Sequence, residues 1–415
     1  MKSTAIIIGG GLAGLSAARQ LHAQGIDFKL FEATERIGGR VKTEVVNGFR
    51  LDRGFQVLLT EYPEAKRWLD YKKLALKSFT PGALLLLPGG KKSHIGDPLR
   101  DFSSLLPTLF SSTGNLMDKL RILKLKTRLA KLTIEEIFQQ KEKTTLEALS
   151  GDYGFSNQMI EQFFTPFFAD IFLEKKLTTS RRMFDFVFKM FGEADTAIPN
   201  LGMEEIPKLL AQPLPENLIT TNARVLKIEN QTVYLEDGSA FSAPNIIVAT
   251  EATSFVKELE KVKTRYQSTT HLHFIAEIPP LKKPIIALNT NKERLANNIC
   301  TISQVAPGYA PVNKSLVSIS VVGKSDFSKK EIVKAIRSEL KTWFGKAVED
   351  WEHLDTKVIE YALPNQSNVH HEISKQDFKI RKGLYLCGDF QLNGSINAAM
   401  KSGREVAELV TKDLV

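Results

Sequence analysis

The sequence predicts an α/β protein, and three observations predict it. An apolar run, Ile6-Ile7-Ile8, flows directly into Gly9-Gly10-Gly11 and a helical pattern, with a second short apolar run at Phe28–Phe31. Patterns of the same kind return at 219–248 and again near the end of the chain. Between them, residues 270–322 hold β-type runs of a different character. The dinucleotide-type pieces are interrupted twice, which predicts a Rossmann-like domain assembled from three segments with an inserted α+β domain of antiparallel sheet plus helices. The expected division is 1–66, 200–255 and 375–415 for the first domain, and 67–199 and 256–374 for the second, substrate-binding one.

Each element has a local reason. Residues 5–8 form a short apolar run typical of a buried parallel strand, residues 12–24 read as a helix, and Gly25 is its stop. With the Phe28–Phe31 strand this makes a βαβ opening of about 30 residues. After Tyr62-Pro63 the character changes to helical patterns at 64–75 and 115–140, rich in Lys, Arg and Leu and joined by a Pro- and Gly-containing stretch. Another helical region runs from about 157 to 192. It is dense in phenylalanine, with Phe163, Phe164, Phe167, Phe168, Phe172, Phe184, Phe186, Phe188 and Phe191. Such density fills a core or lines an apolar pocket, and the sequence leaves both open. Within 219–248, Glu236-Asp237-Gly238-Ser239 reads as a hairpin turn and Ile246–Thr250 as a buried strand. The runs His271–Glu277, Ile285–Leu288, Ile299–Val305 and Leu316–Val322 predict a separate antiparallel sheet, followed by a helix at about 328–344. No internal repeat or low-complexity linker interrupts the chain.

Bulk properties narrow the class. A chain of 415 residues is long for one domain, and 43% hydrophobic with 25% charged residues is ordinary globular usage, which sets disorder and collagen-like classes aside. The two cysteines, Cys300 and Cys387, have no spacing that suggests metal ligands or a disulfide framework, so a reducing, cytoplasmic compartment and no metal site are expected. The first apolar run reads as a strand rather than a signal peptide, and no run reaches the ~18 apolar residues of a spanning helix. The net charge of +9 permits contact with anionic lipid or nucleic acid without identifying either, and a solvated surface is the simpler reading, so no nucleic-acid partner is expected.

The first loop carries the clearest chemistry. Gly9 allows a tight turn, Gly11 lets the backbone approach a pyrophosphate, and Gly14 permits helix to pack on strand. Phosphate oxygens there meet free N–H groups at the positive end of a helix opened by Leu12 and Ala13. Glu32, at the end of the next strand and followed by Ala33, is placed to accept hydrogen bonds from ribose hydroxyls. Arg36 and Arg40 flank Gly38-Gly39, offering cations and close backbone approach beside the pyrophosphate. Near the other end, Gly388-Asp389 and a helix starting near Ser395-Ile396 can close over a flavin. A helix N-terminus there would stabilise the negative charge that a reduced flavin carries near N1 and the C2 carbonyl. The two ends together predict bound FAD.

Arg36-Ile37-Gly38-Gly39-Arg40-Val41 resembles the GG doublet and following Arg of the flavoprotein group that includes monoamine oxidases, protoporphyrinogen oxidases and phytoene desaturases. The resemblance continues in Leu51-Asp52-Arg53-Gly54-Phe55-Gln56, which implies Gly54, Phe55 and Gln56 near the flavin ring. It extends to Asn200-Leu201-Gly202-Met203, to Val225 as the residue whose backbone receives the adenine, and to Ala249-Thr250 as a strand end near the cofactor. Gly388-Asp389 is similar to the group's carboxy-terminal motif, whose Asp contacts the ribityl and phosphate region. Asp97-Pro98-Leu99-Arg100, Asp118-Lys119-Leu120-Arg121 and Phe163–Phe168 further resemble a little-characterised, phytoene-desaturase-like branch. The matching stretches cover the cofactor domain well and the substrate domain poorly.

The resemblance implies an FAD-dependent oxidoreductase that oxidises or desaturates a lipophilic, isoprenoid- or polyene-like small molecule by hydride transfer to flavin N5, with oxygen or a quinone as electron acceptor. Alternatives are an amine or protoporphyrinogen oxidase, a redox-neutral flavin-dependent isomerase, and a non-catalytic flavoprotein interaction module. No catalytic base announces itself. His271 and His273, two apart on an expected strand, read as structural histidines, and His370-His371 as a loop pair; the resemblance implies Gln56 as a polar side chain beside the flavin. Cys387 reads as strand, so noncovalent FAD is expected. The segment 116–131 mixes six Lys and Arg with leucines; peripheral membrane contact and ordinary packing of an amphipathic helix are both readings of it.

Overall fold

The computed structural model describes residues 4–96, 113–251 and 264–414. Asp97–Arg100 and the expected domain boundary at 255/256 lie outside the described residues.

A six-stranded sheet is built from the pieces that the glycine-punctuated patterns predicted. Its order is Ile219–Thr220, Phe28–Phe31, Ala5–Ile8, Asn245–Val248, Leu384–Leu386 and Lys379–Arg381. All neighbours are parallel except the last pair, which is antiparallel. Ala5–Ile8 is central and buried on both faces, which is why four consecutive apolar residues are tolerated and no alternation is visible. The Leu12–Ala23 helix and the Ile396–Asp413 helix pack closely on one another: a Cβ at Gly403 would stand 1.9 Å from the Ala13 carbonyl oxygen. Gly25, at φ +68°, ends the first helix as expected. Three antiparallel strands, Val225–Glu229, Thr232–Leu235 and Ala240–Ser242, flank this sheet, with the predicted turn between the last two.

The second sheet has seven strands, in the order Glu352–Pro364, Tyr266–Ala276, Ser315–Val322, Asn298–Thr301, Ile286–Asn289, Gly82–Leu86 and Lys92–Gly96. The sequence predicts it as antiparallel, and one pair departs from that: Ile286–Asn289 runs parallel to Gly82–Leu86. The early stretch between two helical regions therefore supplies two strands across a gap of about 200 residues. Ile299–Val305 does not continue as a strand, because Ile302–Val305 turns into one helical turn. One face of the sheet is apolar, with Leu272, Phe274, Val317 and Ile319 packed on the Lys329–Phe344 helix through Ile332, Ile336 and Leu340. Ser328 and Glu331 form a capping box that fixes where this helix starts.

The phenylalanine-rich region is two main helices rather than one. Thr165–Phe172 ends at Leu173 in the left-handed region (φ +53°), and the chain resumes helix at Arg181–Glu193 behind a Ser180 cap. The aromatic side chains divide by face. Phe164, Phe168, Phe172, Phe184 and Phe186 are buried core, whereas Phe163, Phe167, Phe188 and Phe191 are half-buried and line a cavity.

Candidate active site

A single cavity of about 680 Å³ runs from the first glycine loop to the phenylalanine helices. Its cofactor-side wall includes Gly11, Leu12, Ala13, Gly38, Gly39 and Arg40. Gly54, Phe55, Gln56, Ala249 and Thr250 continue it, and Gly388, Asp389, Ser395 and Ile396 close it from the far end of the chain. The two motif sets, 349 positions apart at Arg40 and Asp389, meet directly: Arg40 Nη2 donates to Asp389 Oδ1 at 2.5 Å. Burial works against the Arg40 charge, but the Asp389 carboxylate outweighs it, so the guanidinium is held more firmly protonated than usual.

The glycines have separate jobs. A Cβ on Gly14 would sit 1.9 Å from the Gly9 carbonyl oxygen, so Gly14 is required by the fold itself. A Cβ on Gly11 would meet nothing nearer than Gly39 Cα at 3.9 Å. Protein packing therefore leaves that position open toward the cavity, as a pyrophosphate cradle needs. Ser395 caps the Ile396–Asp413 helix by accepting from Ala398 N at 3.0 Å, and the first turn of that helix faces the cavity. Its positive end suits the negative charge of a reduced flavin. The open cradle, the helix N-terminus and the paired Arg40 and Asp389 fit FAD.

Six candidate residues stand outside the wall. Gly9 and Gly14 shape the loop from behind it. Glu32 is buried, accepts from Gly10 N at 2.8 Å through one oxygen and from the Thr34 backbone and hydroxyl through the other, and holds the loop in place. Ala33 follows it on the turn. Arg36 donates from its guanidinium to both oxygens of the buried Glu204, at 2.9 and 2.7 Å, and to the Thr43 carbonyl, and it is not part of the cavity wall. A buried carboxylate needs a partner more than the cavity needs a second cation. Val225 pairs with Leu235 and buries its side chain beside Ile6, Ile8 and Phe31.

Asp52 and Gly202-Met203 form a structural joint. Asp52 accepts from Thr43 Oγ1 at 2.5 Å, Tyr309 Oη at 2.5 Å and Met203 N at 3.0 Å. Burial pushes this carboxyl up to about 6 although all three donors favour its charged form. Gln56 Nε2 donates to the carbonyls of Arg40 and Arg53, at 3.1 and 3.4 Å, and its Oε1 is buried without a partner. His271 and His273 do face the same way, with ring centroids 4.7 Å apart. Both are buried and held neutral by burial, His271 down to about 3. His271 sits between Ser318 and Ser320 in a structural role.

The sequence reading missed Asp170. It lines the cavity one helical turn beyond Phe167, and burial lifts its carboxyl to about 7. The visible signal is a lone acid in the otherwise uncharged run Phe163–Phe172. Among the described residues no cluster of His, Cys, Asp and Glu can hold a metal ion.

The sequence profile of the family described as "Flavin containing amine oxidoreductase" matches residues 12–411. Local similarity links the chain to protoporphyrinogen oxidase 2, chloroplastic/mitochondrial, of Arabidopsis thaliana (34% identical over 64 residues, 15% of this chain and 13% of that one). It also links it to carotenoid 3,4-desaturase of Haloarcula japonica (48% over 48 residues, 12% of this chain and 10% of that one). The matched stretches thus span far less than two thirds of these curated relatives. The fold is shared end to end with a putative protoporphyrinogen oxidase from Exiguobacterium sp. 255-15: TM-score 0.73 at 16% identity, covering 100% of this chain and 99% of the other. The family profile spans nearly the whole chain and agrees with the glycine loop and helix N-terminus that meet at the cavity: the chain belongs to the flavin-containing amine oxidoreductase family.

Proposed function

We propose that the protein oxidises or desaturates an apolar, isoprenoid- or polyene-like molecule. The observation that carries this reading is the continuity of the cavity, in which the cofactor wall passes without a break into Phe163, Phe167, Phe188 and Phe191. When bound, FAD supplies at N5 an acceptor for a hydride with its electron pair, and oxygen or a quinone then removes the two electrons. A proton leaves the neighbouring carbon to complete the double bond. Gly11, Gly38 and Gly39 bring the backbone against the pyrophosphate, Glu32 fixes the loop, and Arg40 with Asp389 holds the ribityl and phosphate end. The aromatic walls exclude water and orient the chain of the substrate. Local similarity to a carotenoid desaturase is compatible with this substrate class, and local similarity to lysine-specific histone demethylase 2 leaves an amine as the alternative.

Two finer points belong to the same reading. FAD is held noncovalently: Cys387 is buried, burial pushes its thiol up and away from the reactive thiolate, and it does not line the cavity. Yellow colour remaining in an acid-precipitated pellet would refute this. The cofactor pieces 1–66, 200–255 and 375–415 act as one unit, with the substrate side supplied by 67–199 and 256–374.

The Leu116–Ala130 helix buries Leu125 and Leu129, while Leu116, Leu120 and Leu123 are both exposed and part of the cavity wall beside Lys119 and Lys126. We assign this helix a peripheral contact with anionic lipid, through which an apolar substrate enters. No helix among the described residues is long and apolar enough to cross a membrane. Equal sedimentation of wild type and Leu120→Ser/Leu123→Ser with anionic phospholipid vesicles would remove the assignment.

The test of the function is anaerobic. Holoprotein is titrated with fractions of isoprenoids, porphyrinogens and amines while flavin absorbance near 450 nm is followed. Bleaching by an isoprenoid fraction, with a newly conjugated product, supports the reading. Bleaching by amines or porphyrinogens alone overturns it.

A further inference from the structure

We propose that Asp170 and Ser320, with Asn298 holding Asp170 from behind the wall, form a polar anchor in the apolar part of the cavity, and that the substrate is an elongated apolar molecule carrying a hydroxyl group. This rests on the reading above that an apolar substrate occupies the phenylalanine-lined cavity.

The anchor is built from both sides. Phe163, in the π-helical turn Ile160–Phe164, and Phe167 and Asp170, on the Thr165–Phe172 helix that continues it, all line the cavity, so an acid follows the aromatics on the cavity face. On the sheet opposite, the face that does not pack on the Lys329–Phe344 helix carries Asn298, Ser318, Ser320, Thr269 and His271. The helix rests on the strands that bear Asn298 and Ser320. Asn298 Nδ2 donates to Asp170 Oδ2, and the Ser320 hydroxyl stands close enough to the carboxyl to favour its charged form.

Two oxygens in this cluster are left over. Asp170 Oδ1 and Asn298 Oδ1 are both buried with no hydrogen bond of good geometry. A buried acceptor left unpaired is costly, so Asp170 Oδ1, on a residue of the cavity wall, calls for a ligand that brings a donor. His271 does not meet that need, because Ser318 and Ser320 engage its ring nitrogens. Among the described residues no cation is paired with Asp170 either; the groups that favour its charge are the neutral Ser320 and Asn298. Burial accordingly lifts its carboxyl to about 7, which lets it donate as well as accept near neutral pH. A hydroxyl is the small neutral group that both donates and accepts. An ammonium ion would share a cavity wall with Arg40, Arg53, Lys119 and Lys126.

The anchor is also placed to matter for the reaction. Ser320 is paired with His271, two residues along the strand from Thr269, which puts Ser320 and Thr269 on one diagonal of about 7–8 Å. A Cβ on Gly54 would lie 4.0 Å from Thr269 Cγ2, so the anchor stands one diagonal from the segment proposed to flank the flavin.

The experiment uses purified holoprotein and three polyene probes of equal length: a terminal alcohol, the parent hydrocarbon and the corresponding primary amine. Binding is read from perturbation of the flavin spectrum, and FAD content is measured on every sample. Wild type should bind the alcohol at least tenfold more tightly than the hydrocarbon, since sites that hydrogen-bond a substrate hydroxyl reject the analogue lacking it strongly. Asp170→Leu should erase that ratio with FAD content unchanged, and Ser320→Ala should reduce it. Equal affinity of wild type for alcohol and hydrocarbon, an unchanged ratio in Asp170→Leu, or preference for the amine would each overturn the anchor. Should Asp170→Leu not fold, the isosteric Asp170→Asn, with a reduced ratio, decides the question. Failure of wild type to bind any of the probes would instead count against the apolar-substrate reading.

Discussion

Arg40 and Asp389 are 349 residues apart in sequence and joined by a hydrogen-bonded ion pair at 2.5 Å, with Asp389 buried and Arg40 three-quarters so. The pair locks the strap after the first βαβ unit to the turn that precedes the last helix, and both residues line the cavity. Asp389→Ala leaves a mostly buried guanidinium without its partner, at a cost of roughly 2 kcal/mol. The expected result is FAD affinity lowered by at least tenfold and a lower melting temperature, with Arg40→Lys only partly compensating because lysine lacks the planar fork. Titration of apo-protein with FAD, followed by flavin fluorescence, measures it. Unchanged affinity in Asp389→Ala would mean that the pair is purely a fold lock.

The two loop glycines separate cofactor binding from folding. Gly11→Ala places its methyl in open space at an ordinary backbone angle, φ −76°, so soluble folded protein with little or no FAD is expected. Gly14→Ala drives its methyl against the Gly9 carbonyl, and poor soluble yield is expected. Circular dichroism beside flavin content distinguishes the two. Normal FAD content in folded Gly11→Ala would place the pyrophosphate elsewhere.

Gln56 is positioned rather than free. With Nε2 tied to two carbonyls, its Oε1 is directed as an unpartnered acceptor in the cavity wall. Gln56→Leu should retain FAD and lose turnover by roughly tenfold, about the worth of one hydrogen bond. Gln56→Glu, whose carboxylate cannot donate to the Arg40 and Arg53 carbonyls, should not recover it. Steady-state kcat with an identified substrate is the readout, and wild-type turnover in Gln56→Leu would return Gln56 to a purely structural part.

The acids Asp52 and Asp170 make stability depend on pH in a definite direction. Burial raises both in the folded protein, to about 6 and about 7, above the ordinary aspartate value, so the folded state holds protons that the unfolded chain releases. Their contribution is fully present below about pH 4 and is lost as pH rises through 6 and 7. His271, on the sheet facing Asp170, is neutral throughout this window. Asp170→Asn cannot ionise. Its unfolding free energy relative to wild type should therefore rise between pH 5 and 7.5 and level off above, as followed by urea denaturation. A flat difference would show that Asp170 ionises as freely as an exposed acid.

The cofactor half of the fold is legible because its constraints are local. Gly9, Gly11 and Gly14 answer to loop geometry, and Ile6–Ile8 is apolar because both faces of a central parallel strand are covered. Much of the other half is not. Glu352–Pro364 is the longest strand among the described residues, and nothing in its sequence reads as one. Charged residues interrupt its alternation, and register shifts opposite Gln267 and His273 break its period. Lys357 is partly buried there by pairing with Glu44 and Asp355, contacts that only the tertiary fold creates. The pairing of Arg36 was illegible for a similar reason: its partner, Glu204, lies 168 residues away. Asp170 was overlooked because an acid in a phenylalanine-rich helix has no meaning until the strand bearing Asn298 is set against it.

The order of strands in the six-stranded sheet also governs when the protein can mature. Ala5–Ile8 is made first, yet its neighbour Asn245–Val248 follows more than 230 residues later, and Leu384–Leu386 later still. On the ribosome, the nascent phosphate loop waits for tens of seconds of synthesis, at about 5–20 residues per second, beside an unfinished sheet edge. The cavity wall at Asp389 and Ser395 is therefore incomplete until the chain beyond Leu384–Leu386 has been made.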